Sequence, residues 1–406
     1  TDWRSPASNI NDLHDALREK RYRPRPVKRV LTPKASGGMR PPGIPTLRDR
    51  IVQQALLQVQ RPISAMKFSE HSHGLRSGKG CKTALATVDK AIKVGVEFIL
   101  DADIRSFFES VDHEIPLAAV AEEIADGSVL DLIRAILKSG VTLADYEETQ
   151  AAETGTPQGG PLSPLLANIY LHPLDVAVTE RNFGYVRYAD DFVILTKRRV
   201  RSEEALELVH QVLAPPKLQL PPEKTHIAAL DEGFDFLGFH CFREPESKGG
   251  LIRKVVSHKS KMRFNAQVRD RTPRHAGQKR VKAKRCSVSH LSRNQGVQGM
   301  VRSLNDHWRG RRWYFKDVHN AWGNEEYFNS FDGFIRRRLR SAICGRFAKG
   351  RWNQILNNDK LEAIGLVSIR SLHAKYLEGV LPPPPDAGNW REPYAVVPHV
   401  RFERAG

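Results

Sequence analysis

Two short acidic runs carry the plainest chemistry in this sequence. Asp101-Ala102-Asp103-Ile104-Arg105-Ser106-Phe107-Phe108 closes a predicted strand, and Tyr188-Ala189-Asp190-Asp191 sits between apolar segments. Adjacent carboxylates repel each other, and a tight turn between strands usually takes Asn-Gly or Asp-Gly. Asp is common in turns in its own right, so a turn-forming role for Asp190 and Asp191 stays open. A repulsive pair between core segments points instead to function. The chemistry that needs it is two-metal catalysis, in which ions about 3.5–4 Å apart clamp an attacking and a leaving oxygen. Mg²⁺ prefers oxygen ligands, and one or two carboxylates plus substrate phosphates suffice to hold it.

The elements that must position these groups can be read around them. Residues 96–100 predict a buried strand that delivers Asp101 and Asp103. Tyr185–Tyr188 and Phe192–Thr196 predict a hairpin with its turn at Ala189-Asp190. Gly155–Pro161 reads as a loop, followed by a helix from about Pro164 that buries Leu165, Leu166, Ile169 and Leu171. Upstream, Thr46 and Asp49 have capping-box spacing, and Ile51, Ala55, Leu56 and Val59 recur at helical intervals. Residues 119–138 read as one helix with Val120, Ile124, Leu130, Ile133 and Leu137 inward. Ser202 suits the cap of a helix carrying Leu206, Val209 and Leu213. Phe234–Phe239 predicts one strand, and from about Ser257 the pattern is helical and basic.

The chain has 406 residues and a formal net charge of +18, with 40% of residues hydrophobic. That length predicts two or three domains, and the apolar content is enough for a core. No apolar run approaches the roughly 18 residues that span a bilayer. The start, Thr1-Asp2-Trp3-Arg4, is no signal peptide and lacks Met, which suggests a trimmed chain. Cys81, Cys241, Cys286 and Cys344 include no C-x-x-C pair, so a zinc ribbon or disulfide framework is not expected and a reducing, cytoplasmic setting is. Residues 253–312 hold 18 Lys/Arg against 2 Asp/Glu, and residues 18–50 hold 11 against 2. Residues 97–153 reverse the balance, with 14 acidic and 3 basic side chains. Basic blocks imply a polyanion, most simply nucleic acid. The acidic middle would repel it unless divalent ions intervene.

With these runs in order, the sequence resembles a reverse transcriptase of the group II intron-encoded (maturase) type. The resemblance runs from about Lys20 to about Arg351. Val30-Leu31-Thr32-Pro33-Lys34, Gly38-Met39-Arg40, Gly43-Ile44-Pro45 and Asp49–Gln53 match the fingers motif, and His73-Gly74-Leu75-Arg76 with Gly78 the next loop. Asp103–Phe108, Gly155–Asn168, Tyr188–Asp191, Glu223-Lys224-Thr225 and Phe236–Phe239 match the palm. Trp308–Phe315 resembles the helical thumb, or maturase, motif. The implied fold is α+β, a right-hand polymerase whose fingers and palm carry an antiparallel sheet, followed by an α-helical thumb. The implied divisions are fingers 1–96, palm 97–250 with a fingers insertion around 115–155, thumb 251–381 and a tail 382–406.

The resemblance also implies roles. Asp103 and Asp190 would hold two Mg²⁺ ions, or Mn²⁺ as a substitute, with Asp191 assisting and the Ile104 carbonyl as a further ligand. Asp101 competes with Asp103, but Phe108, five residues beyond Asp103, matches the aromatic gate under the sugar of an incoming nucleotide. Lys34 and Arg40 would grip the triphosphate, where cations stabilise developing charge. Gln158 would contact nucleotide or template, and Lys224 would stand near the pyrophosphate as a general acid. Arg309, Arg311, Arg312, Arg336, Arg337, Arg338 and Arg340, interleaved with Trp308, Trp313, Tyr314 and Phe315, would bind nucleic acid by backbone neutralisation and stacking. Lys279–Arg285 reads as an insertion that orders on RNA.

The implied partners are an RNA template, intron RNA, a DNA primer or target and deoxynucleoside triphosphates. Only 21 residues follow Pro385, too few for a Cys/His endonuclease domain, and the usual N-terminal extension is short. An intron-encoded polymerase that aids splicing and mobility is the first functional expectation. The same polymerase in phage defence, spacer acquisition or DNA repair is a second. An RNA-binding splicing factor without polymerase activity is a third, and the intact Asp103, Asp190 and Asp191 argue against it.

Overall fold

The protein is described here from a computed structural model, which covers residues 6–29, 32–33, 39–40, 43–143, 149–150, 155–156, 159–248, 250–273, 287–315, 323–344 and 356–368. The chain divides between Phe234 and Asp235 into two compact units. The first contains α1 (Pro6–Arg18), β1 (Val27–Arg29), β2 (Thr32–Pro33), β3 (Met39–Arg40), β4 (Gly43–Ile44), α2 (Leu47–Ala65) and α3 (Cys81–Lys93). It continues with β5 (Phe98–Asp103), α4 (Phe107–Ser110), α5 (Glu114–Ala121), α6 (Gly127–Leu137), β6 (Val141–Leu143), β7 (Thr149–Gln150), α7 (Ser163–Glu180), β8 (Gly184–Tyr188), β9 (Asp191–Thr196), α8 (Arg199–Leu213) and β10 (His226–Ala229).

The central sheet has the order β10-β5-β9-β8, antiparallel throughout. Phe192, Val193, Ile194 and Leu195 are all buried, so β9 is covered on both faces and reads as a continuous apolar run. One face, through Leu100, Ala102, Phe192 and Ile194, packs on Leu171 and Leu174 of α7 and Val209 of α8. The opposite side of α7 joins a second core, in which Leu165, Leu166 and Ile169 meet Leu13, Val52, Leu57, Val120 and Ile133. A helix apolar on both sides must be a buried one, and α7 is the bolt shared by both cores. A second sheet, β4-β1-β6-β7, pairs β1 with β6 in parallel.

Several elements differ from the sequence expectation. Residues 119–138 form not one helix but parts of α5 and α6, broken where Asp126 accepts a hydrogen bond from the Ser128 amide at 2.8 Å and caps α6. The cap of α2 is as expected, with the Asp49 amide on Thr46 Oγ1 at 3.2 Å. Its inward face is rotated, however: Val52 and Leu57 are buried and Val59 is 65% exposed. Burial of Asp49, which accepts from the Tyr22 hydroxyl of the segment after α1, sets that rotation. Ser202 is not a cap; it lies inside α8, where its hydroxyl bonds Thr196 Oγ1 at 2.7 Å.

The second unit holds a sheet of order β11-β12-β13, made by β11 (Phe234–Phe236), β12 (Phe239–Arg243) and β13 (Ile252–Val256). The expected strand at Phe234–Phe239 is therefore two strands, broken at Leu237-Gly238. Helices α9 (His258–Arg271), α10 (Val288–Arg293), α11 (Gln295–Tyr314), α12 (Gly323–Cys344) and α13 (Asn358–Ala363) follow. Ser257 caps α9 through the Ser260 amide at 3.2 Å. Phe264 of α9, Trp308 of α11 and Phe331 of α12 pack ring to ring, with the Phe264 and Phe331 centroids 4.3 Å apart. Strands β12 and β13 thus lie in the unit beyond Phe234. Lys279–Arg285 and the tail 382–406 lie outside the described residues.

Candidate active site

The site is assembled where β5, β9 and the β8–β9 turn meet. Asp103 ends β5 and Asp191 begins β9, and the two are direct cross-strand partners. Side chains of opposed antiparallel residues project to the same face about 4.5–5.5 Å apart at Cβ, which brings two carboxylates together. Asp190 precedes Asp191 in the turn, and its carbonyl accepts from the Ile104 amide at 3.4 Å. Asp101 lies on the same face of β5, two residues further from the turn, opposite Val193 and His226. Its carboxylate is 3.7 Å from His226 Nε2.

A cation already sits on this face. Pro222–Lys224 forms a short 3₁₀ turn that lays the Lys224 ammonium on the Asp103 carboxylate as an ion pair. Arg105 reaches Glu223 of the same turn at 3.4 Å, and its amide bonds the Gln219 carbonyl at 2.9 Å. The donor set is all oxygen, and Asp103 accepts a positive charge without other help. Both observations suit a hard divalent ion. Among the described residues no group of three or more His, Cys, Asp or Glu side chains forms a metal cage by itself.

Phe107 and Phe108 divide their duties. Phe107 is buried against Tyr170, with ring centroids 5.7 Å apart. Phe108 is part-buried at the edge of the same core. Its carbonyl accepts from the Thr156 amide at 2.7 Å, so the loop preceding α7 is stapled beneath it. Gly155, with φ +90°, is where that staple requires glycine: a Cβ there would lie 3.0 Å from the Phe108 carbonyl oxygen. His113 Nε2 holds the Gly155 carbonyl at 2.6 Å. Gln158 and Lys34 lie outside the described residues. Arg40 is placed by its backbone alone, opposite Thr32 in the β2–β3 pair.

The basic thumb residues separate into two groups. Arg336 is 4% exposed and pairs with Asp332 and, at 2.8 Å, with Glu362 of α13. This corrects the expectation that it faces nucleic acid: its charge is spent joining α12 to α13. Arg338 donates to the Thr272 carbonyl at 2.7 Å, and Arg340 to the Leu356 carbonyl at 2.7 Å. Arg311 donates to the Ser260 carbonyl and lies 5.0 Å above the Phe264 ring. These three are likewise turned to internal carbonyls rather than outward. Arg309 and Arg337 are exposed, and the side chain of Arg312 lies outside the described residues.

Sequence reasoning missed the polar network beneath the turn. Arg187 of β8 and Asp175 of α7, both completely buried, form a two-pronged ion pair with Nε–Oδ1 2.7 Å and Nη2–Oδ2 2.6 Å. Burial alone would depress the guanidinium pKa; the Asp175 carboxylate reverses that and raises it. The signal was available: a charge inside an otherwise apolar strand must be paired.

The pattern of the reverse transcriptase (RNA-dependent DNA polymerase) family matches residues 32–241, just over half of the chain. Protein YkfC of Escherichia coli (strain K12) is 33% identical over 288 residues, covering 61% of this chain and 75% of that protein. The group II intron-encoded protein LtrA of Lactococcus lactis subsp. cremoris is 35% identical over 196 residues, 48% of this chain and 32% of LtrA. An uncharacterized 91 kDa protein in the cob intron of Schizosaccharomyces pombe is 36% identical over 166 residues, 41% of this chain and 20% of that protein. The chain therefore belongs to the reverse transcriptase family, in its group II intron-like form. Its mixed helices and antiparallel sheet are the right-hand polymerase fold of that family, which uses divalent metal ions. The alignments span about a third or less of the intron-encoded relatives' own lengths.

Proposed function

We propose that this chain extends a DNA primer on an RNA template, with Asp103, Asp190 and Asp191 holding two Mg²⁺ ions. The observation that carries the reading is the cross-strand pairing of Asp103 with Asp191 beside the Asp190 turn. Divalent ions, when bound there, supply charge neutralisation at the primer hydroxyl and the triphosphate. Asp103 is preferred to Asp101 because it stands opposite Asp191, whereas Asp101 is two residues away and beside His226. The primer 3′-hydroxyl gives its proton to solvent, its oxygen bonds to the α-phosphorus, the bond from that phosphorus to the oxygen bridging to the β-phosphate breaks, and pyrophosphate leaves. Lys224, which pairs with Asp103, would meet that leaving group, and Lys34 and Arg40 would grip the triphosphate. Phe108, at the edge of the core, bounds the sugar pocket.

Intron RNA binding with assistance to splicing and mobility is the biological role we assign, supported by the names of LtrA and the cob intron protein. The divisions into fingers 1–96, palm 97–250 and thumb 251–381 belong to this reading. Asp190→Ala tests it. Mg²⁺-dependent primer extension on RNA should fall to background while RNA binding survives. Extension at the wild-type rate would overturn the ligand assignment.

A further inference from the structure

Arg187 is 0% exposed, and all five of its N–H donors are used. Besides the paired bonds to Asp175, Nη2 donates to Ser72 Oγ at 2.9 Å. Nη1 donates to Asn168 Oδ1 at 3.0 Å and to the Ala189 carbonyl at 2.9 Å. Asp175 also accepts from the Tyr185 hydroxyl at 3.0 Å. Asn168 passes the connection on, donating through Nδ2 to the Gly74 carbonyl at 3.0 Å.

The loop at 71–74 lies against the same turn. The Arg187 amide bonds the His71 carbonyl at 2.9 Å, and the His73 amide bonds the Arg187 carbonyl at 2.8 Å. A Cβ at Gly74 would collide with the Ala189 amide nitrogen and stand 2.9 Å from the Tyr188 carbonyl carbon. Ala189 itself has φ +56°. For a residue with a Cβ that conformation costs on the order of 1 kcal/mol and persists only where its surroundings impose it. Asp190 is the next residue, so rotation at Ala189 swings its carboxylate.

A buried ion pair is not needed for stability as such, because apolar side chains of similar volume often replace one without loss. What apolar side chains would not supply here is a donor to the Ala189 carbonyl, or a link from α7 to the 72–74 loop. We infer that Arg187 and Asn168 are positioning residues for the Asp190–Asp191 turn, with Arg187 acting on the Ala189 carbonyl and Asn168 clamping the loop behind it. The inference rests on the assignment of Asp103, Asp190 and Asp191 as metal ligands.

Asn168→Ala is the decisive variant, since it leaves the Arg187–Asp175 pair intact. In the full chain it should lower kcat for primer extension about 10–100-fold, the usual effect of losing an outer-shell partner. The KM for deoxynucleoside triphosphate should stay within about twofold, because ground-state contacts are not removed. Mn²⁺ binding, followed by electron paramagnetic resonance without substrates, should weaken by the same order as kcat. Wild-type kcat and Mn²⁺ affinity in folded Asn168→Ala would overturn the inference. So would a loss wholly accounted for by unfolded protein in thermal melts. Ser72→Ala removes a smaller contact to the same guanidinium and should move the same two quantities less. If Asn168→Ala does not fold, unchanged values in Ser72→Ala overturn the inference instead. Asp190→Ala, run alongside, separates the two claims. If it still extends primers, the site assignment has failed; if it is inactive while Asn168→Ala matches wild type, only the positioning role has failed.

Discussion

Two buried arginines, one in each unit, do opposite kinds of work. Arg187 has four partner residues, two on α7, one in the β8–β9 turn and one in the 71–74 loop, and one of its bonds ends on the carbonyl of a left-handed residue beside two carboxylates. Arg336 has Asp332 on its own helix and Glu362 and the Asn358 carbonyl beyond it, so it fastens one helix to the next. Both pKa values are raised: burial alone would lower each, and the carboxylates outweigh it. The difference lies in solvent. Asp175 has no exposed surface, whereas the Glu362 side chain is 50% exposed. Water screens the second pair and not the first. The lesson is that an Arg-rich run does not identify a nucleic-acid surface, and a lone Arg in a strand can matter more.

The largest expected effect is therefore at Arg187. Arg187→Met leaves Asp175 charged, buried and unpaired, and should cost about 3–5 kcal/mol of stability in denaturant titration. Primer extension should be lost with it. Arg187→Met combined with Asp175→Leu should recover most of the stability, as matched apolar replacement does elsewhere, but not the activity. Recovery of both would erase the distinction between the two arginines. Arg336→Met should cost less, about 1–3 kcal/mol, because Glu362 can turn to water. That loss should appear as earlier protease cleavage within 323–363, read by mass spectrometry of the fragments.

Histidines extend the contrast to pH. Burial first, then Lys79, His71 and Arg76, lowers the His73 pKa to about 4. Burial first, then Arg271, Arg311 and Arg263, lowers that of His307 to about 3. A histidine held neutral in the fold but free to protonate when unfolded stabilises above pH ~6.5. That contribution falls away as pH drops toward the folded value. Thermal midpoints should thus decline between pH 6.5 and 4. His73→Asn should flatten that part of the curve, and His307→Asn should flatten a segment that continues to about pH 3.

The sequence carried the elements around the acidic runs better than their support. The strand that ends at Asp103, the hairpin at Asp190 and α7 were readable because apolar period and turn chemistry are local signals. The two-strand break at Leu237-Gly238 was lost inside an apolar run, and the split of α5 from α6 was passed over because Val120, Ile124 and Leu130 keep a helical period across the Asp126-Gly127 cap. The face of α2 was misjudged because a buried Asp49–Tyr22 bond, 27 residues apart, decided it. Arg187, a charge in an apolar strand, announced that it must be paired, but its partners were invisible for the same reason. Ser72, Asn168, Asp175 and Arg187 are brought together from a span of 115 residues, and only the fold makes them neighbours.

The smallest expected effect falls on the outward arginines of the second unit, and it completes the contrast with Arg336. Arg337 is adjacent to Arg336 in sequence, yet it is exposed on the same helix. Arg309 is 49% exposed, with Asp306 only at 3.9 Å. Removing an exposed side chain should change stability by no more than about 0.5 kcal/mol. If Arg337 touches a phosphate, Arg337→Ala should reduce the slope of log affinity against log salt by about one, uniformly across unrelated RNAs. Arg336→Met, measured under conditions where it remains folded, should leave that slope unchanged. An equal change in both would mean that burial at Arg336 does not keep its charge from the RNA, and the division between fastening and binding arginines would fall. Arg309→Ala should behave as Arg337→Ala does, with a smaller change where Asp306 already offsets the charge.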